Sequence, residues 1–230
     1  MNGIWNDNEL AARYLPSFYA DRREPFPVRA VGYTVCRASC ASPSFNRFLE
    51  LKGDAALVIE YAVYFDFDIQ HLYDLEHVWI YLDRDGRVCD AEGSAHGGYF
   101  NCLKLADGFD DETHLRLCLQ PGKHAVFPRG ELFLLHPNYR EVCGALAGKD
   151  GVLVPQMLEG RVSKPEGIDE AVHRYVQRRY TFEPTLEFVK ADLEADRALM
   201  PWNMLLEAIP GWMEAVMEEI GRAETAETGR

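Results

Sequence analysis

The chain has 230 residues, 47% of them hydrophobic, which suits one large domain or one domain with an appendage. Its formal net charge is −13, from 24 basic and 37 acidic side chains. That balance excludes nucleic acid as the expected partner, because phosphate binding needs clustered Lys and Arg, and it disfavours docking on an anionic membrane through charge alone. A divalent cation is the partner that such a chain attracts most readily.

The amino terminus, MNGIWNDNELAARYLP, lacks the basic and apolar regions of a secretory signal. No run reaches the roughly 18–20 apolar residues of a membrane span, so no transmembrane segment and a cytoplasmic location are expected. Residues 7–15, DNELAARYL, read as a short helix capped by Asp7 or Asn8 and followed by Pro16. PSFYADRREPFPV reads as an extended, proline-punctuated rim, VGYTVCR as a strand, and ASCASPSFNRFLELKGD as a loop with at most one helical turn.

The middle of the chain is β-rich. Strands are expected over 55–67, 76–83, 87–96, 114–119, 124–128 and 151–155, with DRDG at 83–86 as a turn. Short turns between such strands, with no helix alternating regularly, predict a mainly β fold with added α: an antiparallel, jelly-roll-like β-sandwich. After about residue 163, helical spacing takes over in GIDEAVHRYVQRRY, PTLEFVKADLEADRAL and NMLLEAIPGWMEAVMEEIGR, with Pro184, Pro201 and Pro210 breaking or kinking the helices. The expected organisation is a β-sandwich domain with a short N-terminal helix over 1–162, a helical extension packed on it over 163–222, and a frayed tail over 223–230. Of six cysteines, only Cys36 and Cys40 in CRASC are near neighbours, and no CxxC occurs. Free thiols are the expectation for a cytosolic chain, with a Cys36–Cys40 disulfide as the alternative.

The stretch FDFDIQHLYDLEHVWIYLD, residues 65–83, carries Asp66, Asp68, His71, Asp74 and Glu76 around a strand turn. Alternation places Glu60, Ala62, Tyr64, Asp66 and Asp68 on one face of the first strand, and Asp74, Glu76, Val78 and Ile80 on one face of the second. Pairing through a loop over Ile69–Tyr73 would bring the acids to one end of the sheet, with His71 between them. Clustered carboxylates repel unless positive charge sits among them. An oxygen-rich set with one imidazole suits Ca²⁺, Mg²⁺ or Mn²⁺ better than a structural zinc. The alternative is a hairpin tip whose acids simply face water. His96 in GSAHGGY and His124 in QPGKHAVFP are the candidates at the same end for proton transfer or ligand contact, whereas His77 is expected on the opposite face from Glu76. The nucleophile, phosphate-loop, dinucleotide and HExxH motifs are absent.

YAVYFDFDIQHLYDLEHVWIYL followed by GSAHGGY resembles the core of the necrosis- and ethylene-inducing-like proteins, which carry a YxWYFPKD-like strand, a GHRHDWE signature, a VVVWL-type strand and an SAHGxY stretch. LAARYLPSFYADRREPFP is similar to the opening of the related vacuolar protein-sorting-associated family. The resemblance covers roughly residues 9–130 and leaves the helical tail outside it. It implies the family's fold and a divalent metal held by an aspartate ending the first strand and by the first His, the Asp and the Glu of GHRHDWE. On this chain those positions are Asp68, His71, Asp74 and Glu76, which share the His-x-x-Asp-x-Glu spacing. The loop before His71 is much shorter than the family's, which makes Asp66 the alternative to Asp68. Tyr73 replaces the second histidine of the signature and Leu75 its tryptophan, and the secretion signal of the toxic members is missing. The cation site is therefore expected, and the cytolytic activity is not.

Three functions follow as expectations: a cation-dependent module binding a small polar or anionic, carbohydrate-like ligand; a metal-assisted hydrolase using His96 or His124 as acid or base; or a scaffold with a structural ion that self-associates through its C-terminal helices.

Overall fold

The computed structural model describes residues 5–135, 138–193 and 199–228. Asn6, rather than Asp7 or Asn8, caps the first helix, α1 (Asp7–Arg13). Its Oδ1 accepts from the Glu9 N–H at 2.9 Å while Glu9 accepts from the Asn6 N–H at 3.0 Å, a reciprocal box that satisfies two otherwise orphan donors. The segment expected as a rim is instead a buried strand, β1 (Ser17–Asp21), with Ser17, Phe18 and Asp21 inside. Strands β2 (Ala30–Cys36), β3 (Cys40–Ala41) and β4 (Phe48–Leu49) follow, the last two pairing as a small hairpin where a loop was expected.

The dense β-branched and aromatic runs form the two longest strands, β5 (Ala55–Asp68) and β6 (His71–Asp83), as an antiparallel hairpin. β7 (Val88–Ala95) and β8 (Gly98–Asn101) extend it. His96 and Gly97, at φ 50° and 80°, make the two-residue turn between them, the left-handed geometry that matches the twist of a hairpin. β9 (Arg116–Leu119), β10 (Val126–Phe127), α2 (Tyr139–Cys143), β11 (Gly151–Val152) and α3 (Ile168–Arg179) come next. The chain then runs through β12 (Phe188–Lys190) and β13 (Leu199–Pro201) into α4 (Trp202–Thr228).

The main sheet has the order β13-β2-β5-β6-β7-β8, with β11 pairing parallel to β6, and a second sheet has the order β10-β9-β1-β12. One face of the main sheet, through Tyr61, Val63, Phe65, Val78 and Ile80, packs on α1 and on Phe18, Leu117 and Val126 of the second sheet. The opposite face, through Ala62, Tyr64 and Leu72, packs on Val172 and Val176 of α3 and on Leu205, Ile209, Met213, Met217 and Ile220 of α4. The fold is thus a β-sandwich with helices layered on its outer side.

Over its described part, residues 184–193, the helix expected over PTLEFVKADLEADRAL does not form. Phe188–Lys190 adds to the edge of β1 by antiparallel pairing, and buried Asp21 receives the Leu186 N–H at 2.6 Å, so tertiary hydrogen bonds override helical spacing; residues 194–198 of that stretch lie outside the described residues. Pro210 sits inside α4 without ending it, because the apolar stripe on either side remains docked on the sheet. The tail expected to fray is helical to Thr228, with Glu224 of α4 paired to Arg174 at 2.8 Å and to Arg178 of α3; residues 229–230 lie outside the described residues. Among the described residues no helix is long and apolar enough to cross a membrane.

The close seat of α4 on β2 depends on Gly32, where a Cβ would lie 2.9 Å from Leu205 Cδ2 and 3.0 Å from Trp202 Cε3. Gly32→Ala should therefore destabilise the protein by about 1–3 kcal/mol through overpacking. Gly211→Ala, at a helical position with nothing within 4 Å, should be neutral or stabilising by up to about 1 kcal/mol. Denaturant melts of the two variants against the parent measure both effects.

Candidate functional site

The β5–β6 hairpin turns over Ile69 and Gln70, with Asp68 directly opposite His71, so the loop is shorter than the expected Ile69–Tyr73. Directly opposed residues share a face. In an unbroken ladder of this register Asp68 and His71 would face away from Asp74 and Glu76. The alternation breaks at Tyr73, which takes φ 84° and has no ladder partner between the pairs Phe65–Asp74 and Phe67–Leu72. Consecutive Leu72 and Tyr73 both enter the helical-side core, and Phe67 joins Tyr64 there instead of Phe65. The phase shift brings Asp68 and His71 to the same side as Asp74 and Glu76. Asp66 goes the other way: it pairs with Arg29 at 2.6 Å, whose guanidinium lies 4.5 Å over the Trp212 ring of α4.

Asp68, 2% exposed, accepts the Gln70 N–H at 2.6 Å and contacts the Lys123 ammonium. The His71 Nε2 stands 3.6 Å from its other carboxylate oxygen. His71 Nδ1 lies 2.8 Å from the Tyr73 carbonyl, which can only accept, so Nδ1 carries the proton and, in the neutral ring, Nε2 is left as the lone-pair nitrogen facing Asp68. Asp74 meets His124 Nδ1 at 2.9 Å, and the other ring nitrogen of His124 meets Glu24 at 3.3 Å. Glu76 accepts the Ser94 hydroxyl, which itself accepts the His77 N–H at 2.6 Å.

A turn at Pro121-Gly122 delivers the two cationic groups, with Gly122 at φ 68° and the Lys123 and His124 N–H groups both returning to the Gln120 carbonyl. His124 is completely buried and stacks on Phe65 with ring centroids 3.8 Å apart. Burial alone would push its imidazole down, but the Glu24 charge and the bond to Asp74 outweigh that and carry it up to about 10. Burial raises the Asp74 carboxyl, against the pull of His124. Burial and then the Asp74 charge raise Glu76 well above the carboxylate range.

His96 is exposed at the β7–β8 turn, and its Nε2 meets Oε1 of Gln120, the residue that starts the Lys123–His124 turn, at 2.9 Å. His77 points to the opposite face, where burial lowers its imidazole to about 3. Lys123 and Glu24 were not singled out from sequence. A Lys-His pair after a Pro-Gly turn was a usable signal for the first; nothing local marks Glu24, which is 100 residues from its partner His124.

Three carboxylates and an imidazole lone pair form a donor set whose chemistry fits a hard divalent cation. Among the described residues, however, no three His, Cys, Asp or Glu side chains already stand at metal-holding spacing. The positive charge present is tethered, on Lys123 and His124.

Fold and site together define a β-sandwich protein with a carboxylate–imidazole cluster at the tip of its longest hairpin. No family model matches the chain, and no curated protein matches it significantly. Among solved structures it is similar to the protein NLPPya in complex with glucosamine, at 17% identity and a TM-score of 0.34, over 51% of this chain and 63% of that one. It is also similar to NLPPya in complex with mannosamine, at 18% identity and a TM-score of 0.36, over 54% and 70% of the two chains. A third similar structure is Necrosis and Ethylene inducing Protein 2 from the causal agent of cocoa's Witches Broom disease, at 16% identity and a TM-score of 0.34, over 68% and 87%. These are structures of the necrosis- and ethylene-inducing group; nothing in them supports the likeness to the vacuolar protein-sorting-associated family.

The His124 clamp has a defined pH signature. Its folded pKa lies above the ordinary 6.5, so the stability it contributes is complete below about pH 6.5 and is lost as pH rises through about 10. The raised Asp74 and Glu76 carboxyls act in the same direction, since their ionisation is easier in the unfolded chain. Denaturant midpoints should therefore fall between pH 6 and 10, and His124→Gln should flatten that fall while lowering stability at pH 6.

Proposed function

We propose that the β5–β6 tip is a divalent-cation site at the end of the sandwich, through which the protein holds a small polar or anionic, carbohydrate-like ligand. The observation that carries this reading is the convergence of Asp68, Asp74 and Glu76 with His71, whose Nδ1–H is already committed to the Tyr73 carbonyl. A ring nitrogen fixed by its partner in this way is the usual arrangement of a metal-binding histidine. Two carboxyls in the set are raised by burial, a cost that a bound cation offsets directly. Asp68, His71, Asp74 and Glu76 would hold the cation, and Lys123 would leave Asp68 as it enters. When bound, the cation would supply Lewis-acid coordination for hydroxyl or carboxylate oxygens of the ligand.

No observation favours hydrolysis over binding. His124 is clamped between two carboxylates, out of reach of solvent, which suits holding charge rather than passing protons. For the scaffold reading, the apolar stripe of α4 from Leu205 to Ile220 packs within the chain, so self-association through the C-terminal helices would use their outer faces.

Millimolar Ca²⁺, Mg²⁺ or Mn²⁺ should raise the melting temperature; at about 100 times Kd the gain is about 2.7 kcal/mol, or roughly 5–10 °C for a chain of this size. Asp74→Asn should abolish the shift, and Lys123→Gln should enlarge it by removing the resident competitor. An unchanged melting temperature in both the parent and Lys123→Gln overturns the cation reading. Glucosamine is the first ligand to titrate with and without cation, because a similar protein is solved with it; cation-dependent binding heat is the expected result.

A further inference from the structure

At the end of the main sheet remote from the acidic tip, the residues between β2 and β5 fold back as a flap carrying the β3–β4 hairpin. Its Leu49 packs with Cys36, Val58, Trp79 and Tyr81, and Phe45 meets the His77 and Trp79 rings at 5.0 and 5.3 Å. Buried Glu60 on β5 holds the flap down: it accepts the Ser42 and Ser44 hydroxyls, each at 2.5 Å, and the Trp79 indole N–H at 2.7 Å. Arg47 lies 4.3 Å over Trp79 and 3.6 Å over Tyr99 and bonds Glu92 at 2.8 Å.

Closure has an opposing cost. Nε and Nη1 of Arg47 and both ring nitrogens of His77 are buried without a hydrogen-bond partner, the Ser44 main chain lying beside His77 but outside bonding geometry. An open flap would expose these four nitrogens to water, so the closed state stands against their desolvation. Two thiols sit at the flap's hinge. Cys36 ends β2, Cys40 begins β3, and their sulfurs are 2.8 Å apart, with the Cys40 thiol directed at Cys36. Cys36 is buried and Cys40 half-exposed.

We propose that Cys36 and Cys40 are a reversible dithiol–disulfide pair that latches this flap over His77 and Trp79 of β6. The half-exposed Cys40 meets the oxidant first. Its thiolate attacks a sulfur of a small-molecule disulfide such as oxidised glutathione, forming a mixed disulfide and releasing one glutathione thiol. The Cys36 sulfur, after losing its proton to water, then attacks the Cys40 sulfur and expels the second glutathione. Two protein S–H bonds are lost and one S–S bond is gained, and the oxidant takes up the two electrons. Burial pushes the Cys36 thiol up to about 12, which fits it to the resolving rather than the attacking role. The bond ties the end of β2 to the start of the flap and restricts its opening.

The full chain equilibrated with oxidised and reduced glutathione, trapped with N-ethylmaleimide and analysed by mass, tests this. Of six thiols, two should disappear together, with a cross-linked peptide joining residues 36 and 40. Cys36→Ser and Cys40→Ser should each prevent the cross-link, and Cys89→Ser, at an exposed cysteine elsewhere on the sheet, should not. Tryptic cleavage after Arg47, inside the flap, should slow about tenfold in the oxidised protein. Alkylation of both Cys36 and Cys40 after oxidation, or a glutathione adduct that stays on Cys40, overturns the pair. Equal cleavage rates in the two redox states overturn the latch.

Discussion

Carboxylates crowded at the end of a buried hairpin must be neutralised, and much of this structure is arranged around that requirement. Asp68 is buried, and Asp74 and Glu76 are half-buried, on strands that run largely among apolar and aromatic side chains, so water screens them poorly. A single turn after β9 supplies two positive groups, Lys123 to Asp68 and His124 to Asp74, and Glu24 closes the far side of the imidazole. The turn is itself held by the cluster: Gly122 donates to Glu24 at 2.7 Å, and Ile69 at the hairpin tip donates to the Gly122 carbonyl at 2.6 Å. The two sheets of the sandwich are thereby joined at one end by charge and along their length by apolar packing.

The opposite face is solved differently. There the hairpin meets α3 and α4 near its tip and the β3–β4 flap at its other end. Against the helices the contact is apolar and close, to the point that β2 carries glycine where α4 crosses. Beneath the flap, apolar packing around Leu49 and Trp79 is mixed with buried polar groups, of which Glu60 is satisfied while Arg47 and His77 keep guanidinium and ring nitrogens without a partner. The sheet face is therefore sealed most completely against the helices and least completely beneath the flap.

Much of this was legible in the sequence, and the misses have physical causes. The β-rich middle, the DRDG turn and the two helices α3 and α4 follow from local periodicity, which backbone geometry enforces residue by residue. The segment around Phe188 carries helical spacing but found a free strand edge on β1, and edge pairing is a long-range event that no local window contains. His-x-x-Asp-x-Glu was visible as a cluster, yet plain alternation with the observed register would have split Asp68 and His71 from Asp74 and Glu76. Their union depends on the left-handed backbone of Tyr73, a conformation uncommon for a bulky residue and unmarked in the sequence.

By itself, the sequence determined the class of the fold, the position of its longest hairpin and the residue types at the tip, because strand period and acidic clustering are written locally. Only the tertiary structure decided which aspartate joins the cluster and which leaves it. Asp66 turned to Arg29 and the helical layer, Asp68 to Lys123, and Glu24 arrived from a distant loop. Those choices rest on charge pairing across 37, 55 and 100 residues of chain, and such distances are set by packing, not by pattern.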